Sequence, residues 1–374
     1  MTKARVCHIS TVHPIWDTRV FVRECGSLAE AGYDVHIVIG HPESGMRDGV
    51  HVHPIPTFKS RYARMLVAPW YALNAALKTR ADLYHYHDPE LIWMAFILRW
   101  FSQKPVVFDI HESIFSQVQS KPYLPAWLGW LLGCIYRIIE TILTFGQEKI
   151  VANANSVKDY SRPVLVQNFP KHYQFAPTMR FEPDAKPLLV YVGGVTEIRG
   201  AFIYLELARR LVESGRQFNM EIIGGLDSDE FKNHLDEINR RNDTESFVAI
   251  TGPQDWDVAM RTVSEATIGL CLLHPVPNYK TCLSTKIIEY MMLGTPILAS
   301  DFDCWRPFVT SEQTGCMVDP MDDDDVFNTC VRMLDNVESL KEMSRRGPIA
   351  VKERYTWDQE FAKLKDCYAR LLGE

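Results

Sequence analysis

The sequence predicts an α/β protein built from two doubly wound, Rossmann-like domains with parallel sheets. Three observations lead to this prediction. The chain has 374 residues, which is more than one hydrophobic core usually spans. Apolar strand-like runs alternate with amphipathic helical patterns, and this alternation occurs twice. The predicted parts are a domain over residues 1–168, a linker over 169–186, a second domain over 187–356 and a final helix over 357–374 that returns to the first domain.

In the first half, five apolar runs predict buried parallel strands, with helices such as residues 18–31 between them. These runs are residues 6–10, 35–39, 83–87, 106–110 and 149–153. The segment 169–186 contains Pro170, Pro177 and Pro183 and has no periodicity, which indicates a linker. The second half repeats the alternation, with strands predicted at residues 188–192, 219–223, 246–250, 268–273, 296–300 and 315–318.

Composition excludes several classes of protein. A net charge of -7 and a pI near 6.0 argue against a nucleic-acid-binding protein, which needs a basic surface. Nine cysteines without a CxxC motif predict reduced thiols and no metal cluster, as in a cytoplasmic protein. The chain starts with no apolar signal region, so we do not expect secretion.

The most informative motif is a short helix that follows Ser284 and ends at Gly294. Lys286 lies in its first turn, where the helix dipole disfavours a cation unless an anion is bound nearby. Glu289 follows one turn later and could accept hydrogen bonds from sugar hydroxyls. This pair fits a nucleotide sugar, although an ordinary Lys–Glu salt bridge on a solvated helix explains the same spacing.

A glycine pair, Gly193-Gly194, follows the first strand of the second half, with Arg199 close behind. Such a turn lets backbone N–H groups approach a phosphate, but it is also typical of a plain tight turn. Three Asp-x-Asp patterns, starting at Asp227, Asp255 and Asp301, match a metal-binding motif. Because each precedes a helical stretch, helix capping is the simpler interpretation, and no metal site is predicted.

Six motifs occur in a specific order along the chain. They are Asp17-Thr-Arg19, His87-Asp-Pro-Glu90, Asp109-Ile-His111-Glu112, Gly193-Gly194 with Arg199-Gly200, Glu289 with Gly294-Thr-Pro, and Gly315-Cys-Met-Val-Asp-Pro320. This order resembles that of the family 4 retaining glycosyltransferases of the GT-B fold, and the resemblance spans essentially the whole chain. It implies an enzyme with two domains that face a shared cleft.

The resemblance implies the residues that bind the donor. Glu289 matches the second glutamate of the family's E-x7-E motif, which holds the nucleotide ribose, whereas Thr281 stands at the position of the first. Gly194 occupies the position of a family arginine, so we expect Lys286 to replace that cation beside the diphosphate. The predicted donor-binding residues are Gly193, Gly194, Arg199, Ser284, Thr285, Lys286 and Glu289.

The same resemblance implies the reacting centre. His111 matches a histidine beside the donor sugar, and Arg199 and Lys286 would stabilise the departing diphosphate without a metal or a cofactor. The alternative for His111 is a buried histidine with satisfied hydrogen bonds. The acceptor side is expected to include Asp17, Arg19, His87, Asp88 and Glu112. The family has no obvious nucleophilic carboxylate, which implies front-face attack by the acceptor, with the leaving phosphate acting as the base.

The segment 123–136 is apolar and carries Trp127 and Trp130. It is too short for a transmembrane span, and charged residues follow it directly. It predicts either an interfacial helix at a membrane surface, aided by basic residues between positions 59 and 80, or a core helix under the sheet. Residues 91–101 allow the same two interpretations.

Together these features predict a cytoplasmic retaining glycosyltransferase, in part associated with the inner face of the membrane. Its expected partners are a nucleotide-sugar donor and a glycan or lipid-linked acceptor, in cell-surface polysaccharide synthesis, with no nucleic acid. Two alternatives stay open at this point. One is a nucleotide-sugar epimerase or hydrolase, and the other is a catalytically silent subunit that binds a glycan or a partner enzyme.

Overall fold

The computed structural model describes residues 4–111, 114–119, 125–171 and 186–373. The chain divides into two compact units. The first, the amino-terminal unit, consists of Met1–Lys171 together with Trp357–Glu374, and the second, the carboxy-terminal unit, consists of His172–Thr356. Each contains one largely parallel sheet with helices around it, so the predicted fold class is confirmed.

The sheet of the amino-terminal unit has eight strands in the order β3-β4-β2-β1-β5-β6-β7-β8. All pairs are parallel except the antiparallel pair β3 and β4. The strands are β1 (Arg5–Ile9), β2 (Asp34–Gly40), β3 (Gly45–Arg47), β4 (Val50–Ile55), β5 (Leu83–Tyr86), β6 (Val106–Ile110), β7 (Glu148–Val151) and β8 (Val164–Leu165).

The helices of this unit begin with a π-helix, which is uncommon as a whole element and is often found at functional sites. The helical segments are Thr18–Cys25 (π), Gly26–Glu30, Arg61–Leu66, Ala68–Thr79, Pro89–Leu91 (3₁₀), Ile92–Ser102, Ile114–Gln119, Ala126–Leu143, Ala154–Asp159 (3₁₀) and Trp357–Leu372.

Two hydrophobic clusters cover the two faces of this sheet, because alternate residues of a strand point to opposite sides. On β1, for example, Val6 belongs to one cluster and Cys7 to the other. The helix Trp357–Leu372 contributes Trp357, Leu364 and Tyr368 to the cluster that contains Val6. The last helix of the chain is therefore part of the core of the amino-terminal unit.

The sequence analysis did not predict the edge formed by β3 and β4. The strand Val50–Ile55 alternates valine with histidine and contains Pro54, so its pattern is weaker than that of a fully buried strand. Part of the expected linker also packs on this unit: Phe169 is buried, and the backbone N–H of Trp357 donates to the Pro170 carbonyl. Residues 172–185 lie outside the described residues.

The sheet of the carboxy-terminal unit has six parallel strands in the order β11-β10-β9-β12-β13-β14. They are β9 (Leu188–Val192), β10 (Asn219–Ile223), β11 (Val248–Thr251), β12 (Ile268–Cys271), β13 (Ile297–Ser300) and β14 (Gly315–Val318). The helical segments are Glu197–Arg199 (3₁₀), Ala201–Glu213, Asp229–Arg241, Trp256–Glu265, Pro277–Thr281, Thr285–Leu293, Arg306–Val309, Asp323–Asp335 and Val337–Arg354.

The helix Thr285–Leu293 has the predicted ends. Ser284 occupies the N-cap position, and Gly294 ends the helix with a left-handed φ of 70°. Glycine suits this position because a side chain is strained there. The helix buries Ile287, Ile288 and Met291 and leaves Lys286 in the first turn, close to the carboxyl end of β9.

Candidate active site

In the carboxy-terminal unit, the turn Gly193-Gly194 brings two cationic side chains together. Gly193 has a φ of 144°, a conformation that is strained for any residue with a side chain. A Cβ atom at Gly193 would collide with Cε of Lys286, and one at Gly194 would lie 2.5 Å from Nη1 of Arg199. The two glycines therefore leave the space in which Lys286 and Arg199 approach the backbone.

Arg199 ends the short 3₁₀ helix Glu197–Arg199, and Gly200 follows with a left-handed φ of 86°. The Arg199 guanidinium donates from Nε to the hydroxyl of Tyr279 at 3.2 Å. A phenol is neutral at pH 7, so this bond orients the guanidinium without cancelling its charge.

Lys286 projects from the first turn of its helix over the ring of Tyr191, with Nζ 5.6 Å from the ring centroid. Burial lowers the pKa of this ammonium, and the charge of Arg199 lowers it further, while Cys271 and Glu289 act in the opposite direction. The sequence predicted that Lys286 opposes the helix dipole. The structure adds a second unfavourable neighbour, Arg199.

Three further predicted donor residues lie on the same helix. Thr285 and Glu289 are half-buried. Ser284 stands at the N-cap, but its side chain makes no capping hydrogen bond and instead accepts from the thiol of Cys271 at 3.8 Å. Thr281, at the position of the missing glutamate, is exposed at the end of the helix Pro277–Thr281.

The sequence allows two interpretations of the glycine turn, a phosphate-binding turn or a plain tight turn. The Gly193 N–H donates to the Ile223 carbonyl at 2.9 Å. The next residue after the pair, Val195, donates to the Gly225 carbonyl at 2.8 Å. These two N–H groups join β9 and its loop to β10 and are not available to a phosphate, so the side chains of Arg199 and Lys286 are the cationic groups beside this turn.

In the amino-terminal unit, Arg19 and Asp109 form a buried ion pair at the centre of a polar cluster. Arg19 is 3% exposed and Asp109 is 0% exposed. The Arg19 guanidinium donates to both Asp109 carboxylate oxygens, at 3.0 and 2.9 Å, and to the Val166 carbonyl at 3.0 Å. Despite its burial, Asp109 keeps a pKa well below its ordinary value because Arg19 and the histidines beside it favour the carboxylate.

His111 and His87 both contact this carboxylate. Nε2 of His111 lies 3.1 Å from Oδ2 of Asp109, and Nδ1 of His87 lies 3.2 Å from the same oxygen. The His111 side chain is 24% exposed, whereas that of His87 is buried. Among the predicted residues, His111 is thus accessible to a ligand, while Arg19 and His87 hold Asp109 in place.

Asp88 is also buried, and its carboxylate accepts from the backbone N–H groups of Thr11 and Val12 and from the hydroxyl of Ser10. His13 Nδ1 lies 3.1 Å from Oδ1 of Asp88. Although burial opposes ionisation, hydrogen bonding and charge from His13 and the other donors lower the pKa of Asp88 to about 2.

The sequence analysis missed His13. Its ring lies 4.9 Å from that of His111, and its side chain is 20% exposed. Burial lowers the pKa of His13, but the hydrogen bond and charge of Asp88 outweigh burial and raise it. A usable signal was present in the sequence, because His13 follows β1 at the carboxyl end of a parallel strand, where ligand loops gather.

Two other acceptor-side predictions have different outcomes. The Asp17 side chain caps the π-helix by accepting from the backbone N–H groups of Arg19 and Val20, at 2.9 and 2.8 Å. This role orients the helix that carries Arg19, so Asp17 has a structural role at this site. Glu112 lies outside the described residues.

The interpretation of the Asp-x-Asp patterns as helix caps is confirmed only for the N-cap position of Asp255. In the first, the capping side chain is Ser228, which accepts from the Phe231 N–H, and Asp229 lies in the first turn. Asp255 occupies an N-cap position without a side-chain hydrogen bond. In the third, Asp301 and Asp303 both pair with Arg306.

An unusually apolar surface lies on the helices of the amino-terminal unit. Trp127 and Trp130 of the helix Ala126–Leu143 are 68% and 57% exposed, so the alternative of a core helix is wrong for this face. Other exposed apolar residues on the helices of this unit are Tyr62, Leu66, Trp70, Trp100, Phe101, Ile138 and Ile142. Among the described residues, no helix is both long and apolar enough to span a bilayer. Tyr123 lies outside these residues.

Two family models match consecutive parts of the chain. The model described as Glycosyltransferase Family 4 matches residues 18–168, and the model described as Glycosyl transferases group 1 matches residues 186–336. Together they cover most of the chain.

A curated relative, alpha-D-kanosaminyltransferase of Streptomyces kanamyceticus, is 22% identical over 196 residues. The alignment covers 51% of this chain and 48% of the relative, so this chain spans about half the length of the curated relative that it matches.

Solved structures resemble the whole chain. Sucrose-phosphate synthase of Thermosynechococcus elongatus superposes with a TM-score of 0.80 at 17% identity, covering 99% of this chain and 100% of that one. HepE of Anabaena in complex with UDP and glucose superposes with a TM-score of 0.72 at 10% identity, covering 98% and 100%. Identities this low support the shared fold alone.

Proposed function

Since the chain belongs to glycosyltransferase family 4 and has the GT-B fold, we propose that it transfers a sugar from a nucleotide diphosphate sugar, with retention at the anomeric carbon. The acceptor is a glycan or a lipid-linked saccharide, and the reaction serves cell-surface polysaccharide synthesis. One observation carries the donor assignment: two cationic side chains, those of Arg199 and Lys286, converge on the glycine turn.

Two adjacent cations of this kind require an anion. Lys286 opposes its helix dipole and has Arg199 as a neighbour, so the apo site carries electrostatic repulsion. A diphosphate offers charge for both cations, and a guanidinium can hold phosphate oxygens through two parallel hydrogen bonds. Glu289 lies one turn beyond Lys286 on the same helix and accepts hydrogen bonds from the ribose hydroxyls.

In the proposed reaction, the bond between the anomeric carbon and the diphosphate oxygen breaks. The acceptor hydroxyl forms the new bond on the same face, and its proton passes to an oxygen of the departing phosphate. Arg199 and Lys286 stabilise the charge that develops on this diphosphate. No protein carboxylate acts as a nucleophile in this scheme.

The amino-terminal unit contains the polar cluster to which we assign the sugar and acceptor contacts. Arg19 and His87 hold the Asp109 carboxylate in place. This carboxylate in turn orients the partly exposed imidazole of His111. We assign His111 a contact with the reacting sugar and place His13, whose ring is 4.9 Å away, beside the acceptor hydroxyl. Arg19 and His87 are positioning residues because burial keeps them from direct contact.

We also propose that the apolar surface of the amino-terminal unit binds the inner face of the membrane. Trp127 and Trp130 are exposed on one helix, and Trp100 and Phe101 are exposed on another. Large exposed apolar patches mark interaction sites, and tryptophan favours the bilayer interface. Exposed basic residues occur in the same unit at Lys59, Arg61, Lys78 and Arg80. This location would bring the enzyme to a lipid-linked acceptor.

A thermal-shift measurement with UDP, GDP, ADP, their glucose conjugates and the matching nucleosides tests the donor proposal. One diphosphate should raise the unfolding temperature more than its nucleoside, because a ligand stabilises the state that it binds. UDP-glucose is the first choice, since the HepE structure holds UDP and glucose. If no nucleotide stabilises the protein, the proposal fails. Sugar release without an acceptor would instead indicate a hydrolase.

Cosedimentation with vesicles of phosphatidylglycerol and phosphatidylcholine tests the membrane proposal. The variant Trp127→Glu with Trp130→Glu should lose binding while remaining folded, because both changes are at exposed positions. The matched control is Trp256→Glu, which alters a partly exposed tryptophan of the carboxy-terminal unit. Equal binding by both variants would exclude this helix as the anchor.

A further inference from the structure

A second polar cluster lies deeper in the amino-terminal unit and shares only His87 with the site of the proposed reaction. It consists of His8 on β1, His85 on β5, His87 just after β5, and Glu24 on the π-helix. All four residues are between 0% and 3% exposed. The parallel pairing of β1 with β5 sets His8 opposite His85. One nitrogen or oxygen atom from each of the four side chains lies within 4.8 Å of the others.

The Glu24 carboxylate faces the three imidazoles without a hydrogen bond. Its Oε2 lies 3.8 Å from Nδ1 of His8, 3.8 Å from Nδ1 of His85 and 3.9 Å from Nε2 of His87. Arg19 Nε lies 3.2 Å from the other oxygen, Oε1, yet neither oxygen has a hydrogen-bond partner among the described residues. An unsatisfied buried polar atom is costly, so a bound cation or a proton on this carboxylate would stabilise the arrangement.

The hydrogen bonds around the imidazoles involve Asp109 and Tyr368. The Asp109 carboxylate accepts from the Arg19 guanidinium and lies 3.2 Å from Nδ1 of His87, so His87 can donate there from Nδ1 and offer Nε2 as an acceptor. The Tyr368 hydroxyl lies 3.2 Å from Nε2 of His8 and 2.7 Å from Nδ1 of His85, so it can donate to one nitrogen and accept from the other. In the part of the chain that the structure describes, Nε2 of His85 has no partner.

Nδ1 of His8 and Nε2 of His87 lie 3.0 Å apart, a hydrogen-bond distance at which one proton can be shared between the two rings. A divalent ion bound to both nitrogens would replace that proton. In a tetrahedral zinc site with bonds of about 2.0–2.1 Å, neighbouring ligand atoms are about 3.4 Å apart. The observed distances of 3.0 Å and 3.8–3.9 Å lie on either side of that value.

We propose that His8, Glu24, His85 and His87 form a four-coordinate site for a divalent transition-metal ion of the zinc type. Imidazole nitrogens and a carboxylate oxygen are suitable ligands for such an ion. The hydrogen bond from His87 to Asp109 is the carboxylate–histidine support that metal-binding histidines usually have. The Tyr368 hydroxyl contacts Nε2 of His8 and Nδ1 of His85 and so orients both rings.

With four protein ligands, the ion would have no open position, which is typical of a structural site. It would tie β1 and β5 to the π-helix that carries Arg19. The proposed site is separate from the glycine turn, at which the sequence predicted no metal, and it does not depend on the proposed function. The competing occupant is a proton on Glu24, because burial and the charge of Asp109 raise the pKa of this carboxyl.

Metal analysis of the full-length protein by inductively coupled plasma mass spectrometry tests the proposal. The protein is produced in zinc-supplemented medium and dialysed against a chelator, which removes accessible ions. We expect about one zinc per chain in the wild type and one equivalent less in His85→Gln. The matched control is His51→Gln, which disrupts the more accessible group Asp34, His36 and His51 and should keep the buried ion.

A zinc-free wild type would overturn the proposal and favour a protonated Glu24. Zinc that is lost in His51→Gln but kept in His85→Gln would also overturn it, because the ion would then belong to the accessible group. If His85→Gln does not fold, anomalous diffraction from wild-type crystals at the zinc edge decides. A peak among His8, Glu24, His85 and His87 supports the site, and its absence excludes it.

Discussion

The two units treat buried charge in opposite ways. In the amino-terminal unit, the guanidinium of Arg19 makes two hydrogen bonds to Asp109 and a third to a backbone carbonyl. In the carboxy-terminal unit, Arg199 and Lys286 both lie against the glycine turn, and the Arg199 guanidinium donates from Nε to the hydroxyl of Tyr279. In the amino-terminal unit, the charge of Arg19 is therefore paired with a carboxylate of the protein itself. The carboxy-terminal unit leaves positive charge available for an anion, so the two arrangements predict different responses to mutation and to ligand.

The largest effect should come from Arg19→Met. This change leaves the Asp109 carboxylate buried without its main partner, which costs about 3–5 kcal/mol of unfolding free energy. Urea denaturation would measure this loss. Arg216→Met is the matched control, because Arg216 also pairs through two hydrogen bonds, but with the exposed Asp335. It should cost about 1 kcal/mol or less. Equal losses would contradict the contrast between buried and exposed pairs.

Next in size is the effect of Lys286→Ala on ligand binding. Losing a charge-assisted hydrogen bond costs about 1.5–3 kcal/mol, so affinity for the nucleoside diphosphate should fall roughly ten- to a hundred-fold. Affinity for the nucleoside should hold, since it lacks the phosphates. Stability without ligand should hold or rise slightly, because the repulsion from the helix dipole and Arg199 disappears.

Calorimetric titration of both ligands and a denaturation midpoint, all on this one variant, check these results. Lys232→Ala serves as a control, because Lys232 lies on a helix other than that of Lys286 and pairs there with Asp236. The salt-bridge alternative for Lys286 and Glu289 predicts the reverse: lower stability and unchanged affinity for both ligands.

A comparable or slightly smaller effect is expected from Glu289→Ala. If its carboxylate accepts hydrogen bonds from the ribose, each unpaired group costs about 1–3 kcal/mol. Nucleoside and nucleoside diphosphate should then lose affinity by similar factors, unlike the selective loss in Lys286→Ala. Titration of the two ligands distinguishes these cases. Unchanged affinity for the nucleoside would remove Glu289 from the ribose site.

The smallest effect concerns acid sensitivity in the amino-terminal unit. Burial lowers the pKa of His36 to about 4, below its ordinary value of 6.5. The unfolded state therefore binds a proton first, and stability is lost as the pH falls from 6.5 towards 4. His36→Gln should reduce this loss by about 1 kcal/mol, because solvent screens part of the effect of burial on this imidazole. Urea midpoints at pH 7 and pH 4.5 would show the difference. Parallel pH slopes for the two proteins would contradict it.

Much of the fold could be predicted from the sequence because strand and helix periodicities are local. The strands Leu188–Val192, Asn219–Ile223 and Gly315–Val318 and the helix Trp357–Leu372 have the expected bounds. Local rules also located the helix that carries Lys286, since Gly294 marks its end. The donor and acceptor assignments stay predictions, but their geometry within each unit is now defined.

Other features could not be predicted because they depend on strand order and long-range packing. His13 meets Asp88 only because β1 lies beside β5 in the sheet. Glu24 is buried because it lies on a π-helix that packs beside the sheet. Its position in the sequence resembles that of a surface residue. The Gly193 N–H donates a hydrogen bond to β10, a strand that begins more than twenty residues later in the chain.

The position of the helix Trp357–Leu372 has a consequence for biosynthesis. Trp357, Leu364 and Tyr368 complete the core of a unit whose other residues end at Lys171. During translation, the amino-terminal sheet must therefore wait for the entire carboxy-terminal unit to be made before its hydrophobic face can close. Contacts this distant in sequence slow folding and expose apolar surface meanwhile. The carboxy-terminal unit, which is continuous in sequence, can mature first.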